Sequence, residues 1–384
     1  MRIAELRVTV VSLPFSETET WIWGRREGIT NAMVEVVTDE GLVGVGECPG
    51  HPNIALVRQV LEGVRDVVVG EDPLRVGRLI GLLLARRGLH HFRHAANTAL
   101  GGLEIALWDV VGKVAGEPLS RLLGGPVRER IPYYRYIALA PSEQMAEQAA
   151  DAVGEGFGTI YLKTGFERRK DVADVAQVRE AIGPDVALRV DANEAWSPAE
   201  AIAIMRELEP YRLEFVEQPV SMYDLDGLAR VRRATRTPVA ANQAAWLEFD
   251  VLEILRKRAA DVVLTCPHQL HGLWAFKQVA GLCELAGLPV VKHSFGDLGV
   301  TTFAAAQVLA TCANATLANQ THYNLLDDDI VVGGPPAFVD GALELPQAPG
   351  VGVELDREKL GLYGEVYERE GEFTVYGPLA PQTV

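Results

Sequence analysis

Apolar positions along this chain follow three successive rhythms. Residues 1–50 read as three strands: MRIAELRVTVVSL alternates apolar with polar, and NAMVEVVTDEGLVGVGEC alternates on both sides of a D-E-G turn. Between them, residues 15–30 (FSETETWIWGRREGIT) are polar and aromatic and predict a mobile loop. Residues 54–116 take a helical period, ending in AANTALGGLEIALWDVVGKVAG with apolar positions at i, i+3, i+4 and i+7. The Gly/Pro-rich LLGGPVRERIP then breaks the pattern and predicts a domain boundary.

From about 132 to 325 a strand-then-helix pattern repeats. The strand candidates are YYRYIALA, TIYLK, VALRVD, LEFVE, PVAAN, DVVLT, PVVKH and ATLANQ, and stretches such as VADVAQVREAIG supply the helices. Eight βα units of this length predict a (β/α) barrel. After residue 330 short strands and turns return, and the simplest arrangement has this segment rejoining the N-terminal module.

Length and charge narrow the picture. A chain of 384 residues suits a barrel plus a second module. Its net charge of −16 argues against nucleic acid or an anionic membrane as partner, but a small anionic substrate is still allowed. No apolar stretch approaches a membrane span, and the N-terminus has no signal-peptide core. Cys48, Cys266, Cys283 and Cys312 form no CxxC pair, so reduced thiols and a cytoplasmic location are expected.

Candidate chemistry sits at the strand ends. Lys163, Asp191, Glu217, Asn242, Cys266 and His293 each close an apolar run, at gaps of 28, 26, 25, 24 and 27 residues. In a barrel those positions share one mouth. Asp191, Glu217 and Asn242 are three oxygen donors on consecutive strands and suit a hard cation such as Mg²⁺; the structural alternative is that each binds nearby backbone. Lys163 reads as a base or as a salt-bridge partner of Asp191. His293 can take or give a proton, and Lys292 beside it should point the other way. Cys266 pairs with His293, acts as an acid or base, or fills space, and His268 lies close to it. Gln320 can donate to a developing oxyanion, with Asn319 and His322 as rivals. Trp21 or Trp23 and Arg25 or Arg26 are candidates for closing over a substrate.

Several motifs together resemble the enolase superfamily over nearly the whole chain: ALGGLEIALWDVVGKVAGEPLSRLLGG, VDAN, EFVEQP and PGVGVELD. PVAAN, DVVLTCPHQLHGL and VKHSFGD are most similar to the mandelate racemase branch, nearest to glucarate dehydratase. The resemblance implies an α/β fold, with a modified (β/α) barrel at 129–335 under an α+β capping domain at 1–128. Residues 336–384 would return to the cap. It implies Mg²⁺ on Asp191, Glu217 and Asn242, with Lys163 and His293 as acid/base groups on opposite faces of a carboxylate substrate. The shared step is removal of the proton α to that carboxylate.

Three positions depart from the family pattern. Tyr161 stands where the first lysine of a pair is expected, Cys266 where an aspartate would orient the histidine, and Gln320 where strand eight would carry an acid. Tyr161 is expected to hydrogen-bond the substrate carboxylate, with Trp23, Arg25 and His268 as further substrate contacts. Without a carboxylate partner His293 should be a weaker base. The expected reaction is dehydration of a hydroxy acid or acid sugar to a 2-keto-3-deoxy acid, in a chain that self-associates. A racemase or epimerase is the alternative, and a non-catalytic carboxylate-binding relative is an alternative of another class.

Overall fold

The computed structural model describes residues 1–374 and Tyr376. An antiparallel sheet of β1 (Ile3–Trp21), β2 (Gly24–Thr38) and β3 (Val43–Pro49) opens the chain. Helices α1 (Ile54–Val68), α2 (Val76–Arg86) and α3 (Arg93–Ala115) cover one face, burying Leu6, Val34 and Val36 with Val57, Leu61 and Leu103. Gly46 permits this contact, because a Cβ there would lie 2.0 Å from the Gly102 carbonyl oxygen of α3. The short α4 (Leu119–Leu122) leads out of this cap.

The segment 15–30 is not a loop. It extends the β1–β2 hairpin, with Glu19 paired to Arg26 and Trp21 to Gly24 after a register shift beyond Pro14. Its order comes from ladder bonds and from a buried Glu19–Arg26 ion pair, neither of which an apolar pattern displays.

After β4 (Arg130–Pro132), seven parallel strands form one curled sheet: β5 (Arg135–Ile137), β6 (Thr159–Lys163), β7 (Ala187–Asp191), β8 (Phe215–Glu217), β9 (Val239–Ala241), β10 (Val262–Thr265) and β11 (Val290–Lys292). The helices that follow β5 to β11 are α5 (Ser142–Gly154), α6 (Arg168–Ile182), α7 (Pro198–Leu208), α8 (Leu225–Ala234), α9 (Glu248–Lys257), α10 (Leu273–Leu285) and α11 (Gly299–Leu309). The expected eighth strand is a single bridge. Asn319 bonds Pro132 and Tyr134 on one side, and Gln320 donates to the Lys292 carbonyl on the other, which spans the gap between the edge strands.

Side-chain alternation sorts the barrel. Ile160, Leu162, Val190, Val216 and Val263 pack outward under the helices. Tyr161, Phe215, Ala240, Leu264 and Val291 fill the interior. Arg189, two residues before Asp191 and fully buried, lies with its guanidinium 4.5 Å from the Phe215 ring centroid and 5.5 Å from that of Tyr134. Its Nε donates to Glu214 and its Nη1 to the Ala318 carbonyl.

Two cap glutamates hold the domains together. Glu47 accepts the Leu298 and Thr301 amides at the start of α11, and Glu104 accepts the Leu273 and Trp274 amides at the start of α10. The tail divides: β12 (Phe338–Val339) and β13 (Ala342–Glu344) pair with β4 below the barrel, whereas α12 (Arg357–Glu370) packs on β1. Beyond α12, Gly371, Glu372 and Phe373 also bond the cap, at Ser12, Ile54 and Thr30. Among the described residues no helix is long and apolar enough to cross a membrane.

Candidate active site

Strand register brings three of the predicted residues into a row. Lys163 pairs with Asp191, and Asp191 with Glu217, on adjacent strands, so their side chains stand side by side at the barrel mouth. Lys163 Nζ is 2.7 Å from Asp191 Oδ2, and Tyr161 Oη donates to that same oxygen at 2.7 Å. Asp191 Oδ1 accepts the Asn193 amide. Both carboxylate oxygens of Glu217 are buried without a partner. Burial and the neighbouring Asp191 push the Glu217 carboxyl well above the ordinary glutamate value.

A buried carboxylate with no donor, beside a second carboxylate, is an arrangement that a cation stabilises. Asn242 donates through Nδ2 to the Leu264 carbonyl, which leaves its Oδ1 as the third oxygen donor. Two carboxylates and an amide suit Mg²⁺, although among the described residues no three His, Cys, Asp or Glu side chains form a cluster. Burial disfavours the Lys163 ammonium, but Asp191, Glu217 and Glu19 outweigh it and raise its pKa above the ordinary lysine value.

A cavity of about 100 Å³ opens over this row, between barrel mouth and cap. Lys163, Asn242, His293 and Gln320 line it, as do Trp21, Arg26, His322 and Glu19. Gln320 Oε1 accepts the Ser294 amide, so its NH₂ is the end free to donate. His293 Nδ1 is buried with no partner. Burial and the nearby Lys163 and Lys292 hold this imidazole well below its usual pKa, and therefore neutral. Lys292 does point away, into a buried ion pair with Asp297.

Five expectations change. Cys266 is buried outside the cavity lining, and burial pushes its thiol up to about 12. His268 lies between the domains, 3.0 Å from Thr301 Oγ1, with burial lowering its pKa to about 4, and it touches no part of the cavity. Tyr161 is also outside the lining, and its hydroxyl is spent on Asp191. Arg25 turns outward to Glu27, and the alternation of the hairpin makes Arg26 the inward residue. Trp23 is 56% exposed and donates to the Asn193 carbonyl, while Trp21 lines the cavity.

The main omission from the sequence reading was Glu19. Its Oε2 accepts from Arg26 Nε at 2.5 Å, and Oε1 lies 3.3 Å from His322 Nε2. Arg26 also donates to the Phe295 carbonyl at 2.6 Å. Burial opposes the charge on Glu19, yet Arg26 and His322 hold its carboxyl well below the usual range. Nothing in the apolar pattern marked it, because only the hairpin register sets Glu19 opposite Arg26. A roomier cleft of about 580 Å³ lies elsewhere, between α2, α3 and α10, and contains none of the strand-end residues.

Comparison with known proteins decides the family. Residues 144–359 match the family described as enolase C-terminal domain-like, and residues 21–124 match the mandelate racemase / muconate lactonizing enzyme N-terminal domain. The chain belongs to the enolase superfamily. Its similarity within the superfamily is spread over several reactions. A hydrophobic dipeptide epimerase of Enterococcus faecalis is 31% identical, covering 92% of this chain and 99% of its own. A D-galactarolactone cycloisomerase of Agrobacterium fabrum is also 31% identical, over 86% of this chain and 90% of its own. A D-galactonate dehydratase of Xanthomonas euvesicatoria pv. vesicatoria is 30% identical, over 85% and 89%. Three different reactions at 30–31% identity do not single out the glucarate dehydratase branch. All three relatives of this enolase superfamily member are enzymes.

Proposed function

We propose that this protein removes the α-proton of a small hydroxy acid with Lys163 as base and completes a dehydration to a 2-keto-3-deoxy acid. The observation that carries this reading is Lys163 Nζ at the cavity wall, in register with Asp191 and Glu217. Mg²⁺ held by Asp191, Glu217 and Asn242 would supply Lewis acidity at the substrate carboxylate and offset the negative charge that keeps Lys163 protonated. Neutral Lys163 takes the α-proton. The resulting ammonium then gives that proton to the β-oxygen as the C–O bond breaks, so one water leaves and the lysine is restored. Gln320 would donate to substrate oxygen through its NH₂, a reading supported by its place in the cavity lining.

His293 has a different part here from the acid first expected of it. A neutral imidazole has no readily given proton, but it orients the departing hydroxyl by hydrogen bonding. Epimerisation would instead have His293 take or return a proton on the opposite face. Incubating a library of aldonic and aldaric acids with the protein and Mg²⁺ in D₂O tests the proposal. Loss of water with a keto-acid product supports it, whereas deuterium in both epimers without water loss replaces it by epimerisation. No turnover on any of these acids sinks it.

A further inference from the structure

We infer that the substrate carries a single carboxylate, and that Glu19 on the β1–β2 hairpin selects an uncharged, hydroxyl-bearing remainder and rejects diacids. This rests on the hydroxy-acid reading above and adds which acids qualify.

The argument comes from the charges around the cavity. Its lining offers two side chains that can carry positive charge, Lys163 and Arg26. Lys163 belongs to the barrel carboxylates, 2.7 Å from Asp191. Arg26 is committed twice, through Nε to Glu19 and through Nη1 to the Phe295 carbonyl. The three histidines in the lining, His51, His293 and His322, are all pushed toward the neutral form, chiefly by burial. One substrate carboxylate finds a counter-charge at the Asp191–Glu217–Asn242 site once Mg²⁺ is bound there. A second would meet the hairpin wall, where Arg26 is already paired with the buried Glu19 and no free counter-charge awaits it. A charge taken from water without a counter-charge is costly, and specificity often comes from such a penalty. A hydroxyl in the same place instead donates to Glu19. The aromatic rings of Trp21, Trp246 and Phe295 complete this wall and suit the C–H faces of a polyhydroxylated chain.

Titration calorimetry with Mg²⁺ tests this on two four-carbon acids of matched configuration, threonate with one carboxylate and tartrate with two. Binding is read whether or not turnover follows. Threonate should bind at least tenfold more tightly than tartrate to the wild-type protein. Glu19→Gln keeps the shape and releases Arg26, so it should weaken threonate and strengthen tartrate, bringing the ratio to about one. Tighter binding of tartrate by the wild type overturns the inference, as does an unchanged ratio in a folded Glu19→Gln protein. The wild-type ratio stands as a test if that variant does not fold. Failure of both acids to bind overturns the hydroxy-acid reading and this inference with it, whereas a tartrate preference removes this inference alone.

Discussion

Two pairs of buried carboxylates set the domain junction against the barrel mouth. At the junction Glu47 and Glu104 are each saturated: Glu47 by the Asn31 amide and two α11 amides, Glu104 by Trp108 Nε1 and two α10 amides. At the mouth Asp191 shares one oxygen between Lys163 and Tyr161, and Glu217 has no donor at all. Burial raises the pKa at Glu47, Glu104 and Glu217 alike. Depth and a displaced pKa therefore do not separate a fastener from a functional group; the missing partner does.

The sharpest way to break this comparison is Glu217→Gln. It should lower α-proton exchange by about a thousandfold, within the usual range for losing charge stabilisation at a reacting centre. It should also abolish any Mg²⁺-dependent rise in Tm while leaving the metal-free Tm unchanged or higher, because an unpartnered buried charge has gone. A lower metal-free Tm with exchange intact would make Glu217 a fastener too. The mirror experiment is Glu104→Ala, which strips the cap from α10 and should cost about 2 kcal/mol in urea unfolding. The folded fraction should exchange protons at the wild-type rate.

A smaller effect is pH-dependent. Glu47 moves from 4.5 to about 8 and Glu104 from 4.5 to about 7 on folding, by burial first, so the folded chain holds protons that the unfolded chain has released. Stability from these groups therefore falls as pH rises from about 4.5 to 8, and Glu47→Gln should flatten that slope in Tm measured across the window. The smallest effect expected is at Cys266. Cys266→Ala should cost about 1 kcal/mol through a small cavity and leave exchange within twofold of wild type. A tenfold loss with a shifted pH profile would return the thiol to the chemistry.

The barrel was legible in the sequence because alternation repeats there. The apolar residue before each strand-end group faces a helix and the one two before it faces the interior, which put Lys163, Asp191, Glu217, Asn242 and His293 on one side. The same rule placed Lys292 away from the mouth. It misled at Cys266, which has the right parity but lies buried outside the cavity, and spacing does not record depth. The hairpin was missed because its pairing is polar: Glu19 and Arg26 look like loop residues until the register brings them together. ATLANQ read as a full strand because composition cannot show that one bridge is enough to span a gap. His268 fell to the cap, since its position depends on α3 packing across from Gly101, a contact between residues far apart in the chain.

Arg189 has a consequence for traffic. With its guanidinium packed against Tyr134 and Phe215, and Nε tied to Glu214, it corks the barrel axis beneath Asp191. The cavity that Trp21 and Arg26 line then opens only away from that plug. Under the proposed dehydration, product and substrate would contend for the same opening, and product inhibition should be competitive.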